Sequence, residues 1–129
     1  MSDDQSSETG ESAISDETLE RTADRSDATV DAIADALVVL HSTLIGRHAE
    51  LEREYDYVTV DGTRAYRVPE SVWDDLLAAF DFDDEVDAAV ASAHTEQARL
   101  LFSDAVDADE RFAADERGVV VGIDTAEEF

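Results

Sequence analysis

The side chains best suited to proton transfer or metal binding are three histidines, His41, His48 and His94, and a large surplus of carboxylates. His41 and His48 stand seven residues apart on one face of a predicted helix, about 10.5 Å along its axis, which is too far for two ligands of one ion. A shared site would need His94 or carboxylates from another helix. The Glu-x-x-His spacing of di-iron bundles is missing, because Val38, Ile45 and Ala91 occupy the positions three before the histidines. All three therefore read as structural. Cysteine is absent, which excludes disulfides, thiolate zinc sites and a cysteine nucleophile. The pairs Asp74-Asp75 and Asp83-Asp84 have the chemistry of a general acid and base or of a divalent-cation site. With 34 acids in the chain, adjacent carboxylates arise by chance, and these pairs read as helix caps and solvated surface. No Gly-x-Ser-x-Gly elbow, Walker-type phosphate loop or Gly-x-Gly-x-x-Gly turn is present. The sequence thus assigns no catalytic, cofactor-binding or metal-binding residue, and the expectation is a protein that is not an enzyme. A small metal-dependent enzyme is the alternative the histidines leave open.

The charge balance is the strongest compositional feature. Thirty-four Asp and Glu face nine basic residues, all of them Arg, for a formal charge of −25 in 129 residues. Exposed like charges repel across a Debye length of about 10 Å at 0.1 M salt, which shrinks to roughly 3 Å at 1 M. A chain this acidic that keeps strongly patterned helices is most simply explained by a salty solvent, in which repulsion is screened and hydrated carboxylates keep the protein dispersed. The composition resembles that of haloarchaeal cytoplasmic proteins in general. An acidic nucleic-acid mimic or a cation buffer would carry similar charge, but neither is needed to explain it. The N-terminus, MSDDQSSETGES, has neither the basic start nor the apolar run of a signal peptide. The longest apolar candidate, residues 36–40, falls far short of the roughly 20 residues that cross a bilayer. A cytoplasmic location away from membranes is expected.

The elements that would position these groups are legible from period and punctuation. Residues 1–14 have almost nothing to bury and read as a disordered acidic tail, followed by one α+β domain over 15–129. Ser15 fits an N-cap, with Ile14 stapled to Leu19 in an exposed first turn. Val30, Ile33, Leu37, Leu40, Leu44 and Leu51 then recur in steps that mark a heptad seam. A second stripe, Ala34, Val38, His41, Ile45 and His48, widens that face, so a long helix at the centre of a domain is expected, ending near Glu54. Gly46 within it suggests close approach of another backbone. Two β-forming runs, 55–60 and 63–68, flank Asp61-Gly62, the strongest short hairpin signal. A two-residue turn puts Val60 opposite Thr63, Val58 opposite Ala65 and Asp56 opposite Arg67 on one face. Thr59 with Arg64, Tyr57 with Tyr66, and Tyr55 with Val68 then share the other, and this tyrosine face is assigned to the core. Pro69 stops the second strand, with Ser71 and Asp74 as an alternative cap for the next helix. Val72, Trp73, Leu76, Leu77 and Phe80 line that helix. After Asp81–Asp84 a third helix buries Val86, Ala89, Val90, Ala93, Leu100 and Leu101, and nothing stops it before Phe112. Residues 118–123 read as a short strand able to join the hairpin.

One segment departs from the acidic background. Residues 47–67 hold Arg47, Arg53, Arg64 and Arg67 against five acids, a net of −1, which leaves −24 on the other 108 residues. A near-neutral, tyrosine-containing hairpin is where a partner meets least repulsion, and these four arginines are the candidate partner-binding residues. The run from Thr63 to Val68, Pro69-Glu70 and two successive helices also resembles the ribbon-helix-helix DNA-binding unit over roughly 40 residues. The resemblance implies DNA readout by Thr63, Ala65 and Arg67 on a strand paired with a dimer mate. The sequence departs from that family at Asp81-Phe82-Asp83-Asp84, where carboxylates replace the turn that receives a phosphate. The expectation is a non-catalytic interaction or regulatory protein with a protein partner, or with itself as a homodimer through the heptad face or the hairpin. A DNA-binding regulator is the alternative.

Overall fold

The structure, a computed structural model, describes residues 14–60, 62–104 and 115–122. The tail before Ile14, the turn residue Asp61, the continuation of the last helix through Phe112, and Ile123 lie outside the described residues. Among the described residues, four helices and a three-stranded antiparallel sheet make an α+β fold, with the long helix near the N-terminus.

Helix α1 (Asp16–Asp24) opens where expected: the Ser15 side chain accepts a hydrogen bond from the Thr18 amide at 3.2 Å. Ile14 and Leu19 are both buried, as a hydrophobic staple requires. The first turn, expected to be exposed, is so at Ser15, Asp16 and Glu17 but covered at Thr18 and Leu19. Arg21 and Arg25 both reach Glu96, at 2.5 and 3.2 Å, and tie this helix to the last one.

Helix α2 (Val30–Glu54) starts at Thr29, whose hydroxyl accepts from the Ala32 amide at 3.1 Å. Ile33, Leu37, Leu40, Leu44 and Leu51 of the seam are buried, while Val30 at the tip stays exposed. Leu37, Leu40 and Leu44 are at most 1% exposed within this single chain, so the heptad face has no surface left to offer a second copy. Gly46 makes no close approach, since an added Cβ would meet nothing within 4 Å. Its helix cost of about 1 kcal/mol relative to Ala is therefore not offset by packing.

Strands β1 (Asp56–Val60) and β2 (Thr63–Pro69) pair in the expected register, from Asp56 with Arg67 to Val60 with Thr63. Gly62 takes the positive φ, 79°, that the turn requires. Pro69 closes the strand and is itself the N-cap of α3 (Glu70–Ala78), with no side-chain cap bond, so the Ser71 and Asp74 box does not form. Trp73 and Leu76 of α3 are buried. Helix α4 (Asp84–Asp104) buries Val86, Ala89, Val90, Ala93, Leu101 and Phe102, but Leu100 is exposed, unlike the expected face.

Strand β3 (Glu116–Gly122) joins the hairpin antiparallel to β2, which makes β2 the central strand. Both faces of that strand are covered. Ala65, Tyr66 and Val68 are all fully buried, as are Val119, Val120 and Val121 beside them. The Tyr66 side meets α2, where its hydroxyl donates to the His48 carbonyl at 3.0 Å. The opposite side meets α4, where the Arg67 guanidinium lies 4.9 Å over the Phe102 ring. The tyrosine face is thus core at Tyr66 but not at Tyr57, which is 41% exposed on the outer strand.

Candidate interaction site at the sheet edge

The two outer edges of the sheet are finished differently. Along β3 the amides of Gly118, Val120 and Gly122 point away from β2, alternating as strand geometry dictates. Each finds a side-chain acceptor: Thr95 Oγ1 at 3.1 Å, His94 Nδ1 at 3.0 Å and His41 Nε2 at 3.0 Å. The Thr95 hydroxyl donates onward to the Ala91 carbonyl at 2.8 Å, and Trp73 Nε1 donates to the Gly118 carbonyl at 3.0 Å. Side chains from α2, α3 and α4 therefore complete the hydrogen bonding that a further strand would supply.

That arrangement decides what the histidines do. A ring nitrogen accepts an N–H bond only when unprotonated, so both histidines sit here as neutral acceptors. His94 is fully buried with its ring 5.1 Å from Trp73, edge to face. Burial, with His41 nearby, lowers its pKa from 6.5 to about 3. The lone pairs that general-base or metal chemistry would use are engaged by strand amides. His48 lies apart from the other two, half-buried toward the C-terminal end of α2. Among the described residues no group of three or more His, Asp and Glu is placed to hold a metal ion. Of the acid pairs, Asp74 and Asp84 line a cleft of about 520 Å³ between α3 and α4 together with Glu70, Asp87 and Arg117. Asp87 is raised above the ordinary aspartate pKa there, by burial first and by Asp84 and Asp83 next.

The other edge follows from the same alternation. Since Gly118, Val120 and Gly122 turn outward, Arg117, Val119 and Val121 bond to Val68, Tyr66 and Arg64 of β2. The remaining β2 positions, Thr63, Ala65 and Arg67, then bond to Val60, Val58 and Asp56 of β1. Tyr57 and Thr59 are left with their amides and carbonyls facing outward, and none of the described groups meets them. Between Asp56 and Val60 the strand has no charge, proline or bulge to blunt it, which are the usual protections of an edge.

Beside this open edge, Arg64 lies 4.4 Å over the Tyr57 ring, donates to Thr59 Oγ1 at 3.1 Å, and pairs with Glu52 of α2. Tyr57 and Tyr66 are tilted neighbours at 5.8 Å. Burial raises the Tyr66 phenol above its ordinary pKa of 10, against the opposing effect of Arg64, so it remains a neutral donor. The four candidate arginines do not converge. Arg64 and Arg67 occupy opposite faces of β2, one over Tyr57 and the other over Phe102, while Arg47 and Arg53 are exposed on α2. Tyr57 is the residue that sequence reasoning misplaced in the core. Its exposure follows from β3 joining β2, which leaves β1 outermost, and no local pattern marks that choice.

The ribbon geometry fails at its central strand. Both edges of β2 are occupied, Ala65 is fully buried, and Arg67 faces α4, so Thr63, Ala65 and Arg67 do not form a free reading surface. Compared with known families, the chain matches Domain of unknown function (DUF8048) over residues 12–123. It belongs to that family. The DUF8048 match spans every element described above, from α1 to β3. No curated protein and no solved structure matches the chain.

Proposed function

We propose that this DUF8048 protein is a non-catalytic interaction or regulatory protein of a salt-rich cytoplasm, and that it meets a protein partner at the outer side of its hairpin. One observation carries the reading: an exposed tyrosine, braced by an arginine, stands beside an unprotected strand edge within the near-neutral segment of a −25 chain. Tyrosine and arginine are the residues enriched where proteins bind, and elsewhere an anionic surface repels the mostly acidic partners of a salty cell. Screening within roughly 3 Å at 1 M salt lets such a body stay compact. No helix among the described residues is long and apolar enough to cross a membrane, in keeping with a partner in solution.

A photo-cross-linking residue at position 57, in cells with molar internal KCl, is expected to yield a discrete adduct with one protein. The same group at exposed Asp35 should not, and Arg64→Glu should weaken the adduct severalfold. Equal labelling from both positions, or none from position 57, would remove the proposal.

A further inference from the structure

The outer edge of β1, uncovered among the described residues, has a shape that a second copy of the same strand completes. This inference rests on the reading of the hairpin as the interaction surface and names its occupant. We infer that two chains pair β1 with β1 antiparallel about a two-fold axis through Val58, joining two three-stranded sheets into one continuous sheet.

The register follows from which groups face outward. Tyr57 and Thr59 turn their amides and carbonyls away from β2, so a mate strand bonds at those two positions. Tyr57 of one chain then stands opposite Thr59 of the other, and each pair exchanges both backbone bonds. Val58 faces its own copy at the axis as a non-hydrogen-bonded pair, the closer kind, and Asp56 faces Val60. No two like charges stand opposite, and each tyrosine gains a β-branched neighbour across the strands, a favourable combination. Such isologous pairing needs a patch complementary to itself, which a strand without internal charge supplies. Electrostatics favours the same place: the segment 47–67 carries −1 while the rest of each chain carries −24, so two copies repel least when they meet here. The opposite edge is closed to this use by Thr95, His94, His41 and Trp73.

The absence of cysteine makes the test clean. In molar KCl the wild-type chain is expected to sediment at twice its 14.1 kDa mass. Val58→Cys should form an intermolecular disulfide under mild oxidation, because a non-hydrogen-bonded pair brings Cα atoms to about 4.5 Å, within disulfide range. Its rate should exceed that of Asp35→Cys by roughly tenfold or more, as for groups held at high effective concentration. Thr59→Pro removes an outward amide without touching a bond to β2, and should give a folded monomer by circular dichroism and sedimentation. A wild-type chain at single mass, or Val58→Cys no faster than the control, overturns the inference whether or not the proline variant folds. If the chain is monomeric while position 57 still captures another protein, the interaction reading survives and the second copy does not. If position 57 captures nothing and the chain is monomeric, both fall.

Discussion

Gly118→Ala is expected to cost the protein about 3 kcal/mol, a large share of the roughly 5–15 kcal/mol by which a domain of this kind is held folded. A methyl group there would lie 2.3 Å from the Ala98 Cβ, 3.1 Å from the Thr95 Cα and 3.2 Å from the His94 carbonyl oxygen. None of these atoms sits at the end of a flexible side chain, so relief requires moving α4 away from β3. That movement would also stretch the bonds from Gly118 and Val120 to Thr95 and His94, which hold the strand's edge. Denaturant midpoints would measure the loss. A second substitution tests the cause, since Ala98→Gly removes the nearest atom at its own helix cost of about 1 kcal/mol. The double variant should be more stable than the sum of the two single losses predicts, by at least about 1 kcal/mol. A Gly118→Ala protein within about 1 kcal/mol of wild type would show that β3 and α4 are not in this contact.

The second large effect is a loss of stability on mild acidification. The folded-state pKa of His94 is lowered from 6.5 to about 3 by burial and by His41. Between those values the unfolded chain binds a proton that the folded chain refuses, so stability falls as pH drops through the window and levels off below it. At about 1.4 kcal/mol per unit, the full contribution is on the order of 5 kcal/mol. Two effects act in the opposite direction. Protonating carboxylates relieves the repulsion of a −25 chain, and Asp87, with its raised pKa, favours the folded state as pH falls. His94→Asn separates these terms, because its Oδ1 takes the place of Nδ1 as acceptor for the Val120 amide and does not titrate. In molar KCl, the stability of wild type relative to His94→Asn should fall by several kcal/mol between pH 6.5 and pH 4. Parallel curves for the two proteins would show that His94 takes up its proton while folded.

Much of this fold is written locally in the chain. The hairpin register follows from Asp61-Gly62 and the alternation on either side of it, and the helix over Val30–Glu54 follows from its leucine spacing and from Thr29. Residues 119–121 read as a strand because three consecutive valines suit a segment buried on both faces. The order of the strands was not written locally, and it determines the candidate site. Which hairpin strand becomes central depends on where β3 lands, and that choice exposes Tyr57 while burying Ala65. The coverage of Leu37, Leu40 and Leu44 was illegible for a similar reason, since it depends on elements far along the chain that close over the seam. The roles of His41 and His94 also needed three dimensions, because their partners are backbone amides and leave no side-chain pattern. The grouping of Arg64 with Arg67 had a local remedy: residues three apart on a strand point to opposite faces.

One edge of the sheet is closed by side chains, and the other is open among the described residues. Residue-resolved amide hydrogen exchange in molar KCl tests this most directly, by following Gly118, Val120 and Gly122 on one edge and Tyr57 and Thr59 on the other. The first three amides should exchange only with global unfolding. The latter two should exchange rapidly in dilute solution and slow as the protein is concentrated. Rapid exchange at Val120, or strong protection of Tyr57 and Thr59 that does not change with concentration, would contradict it.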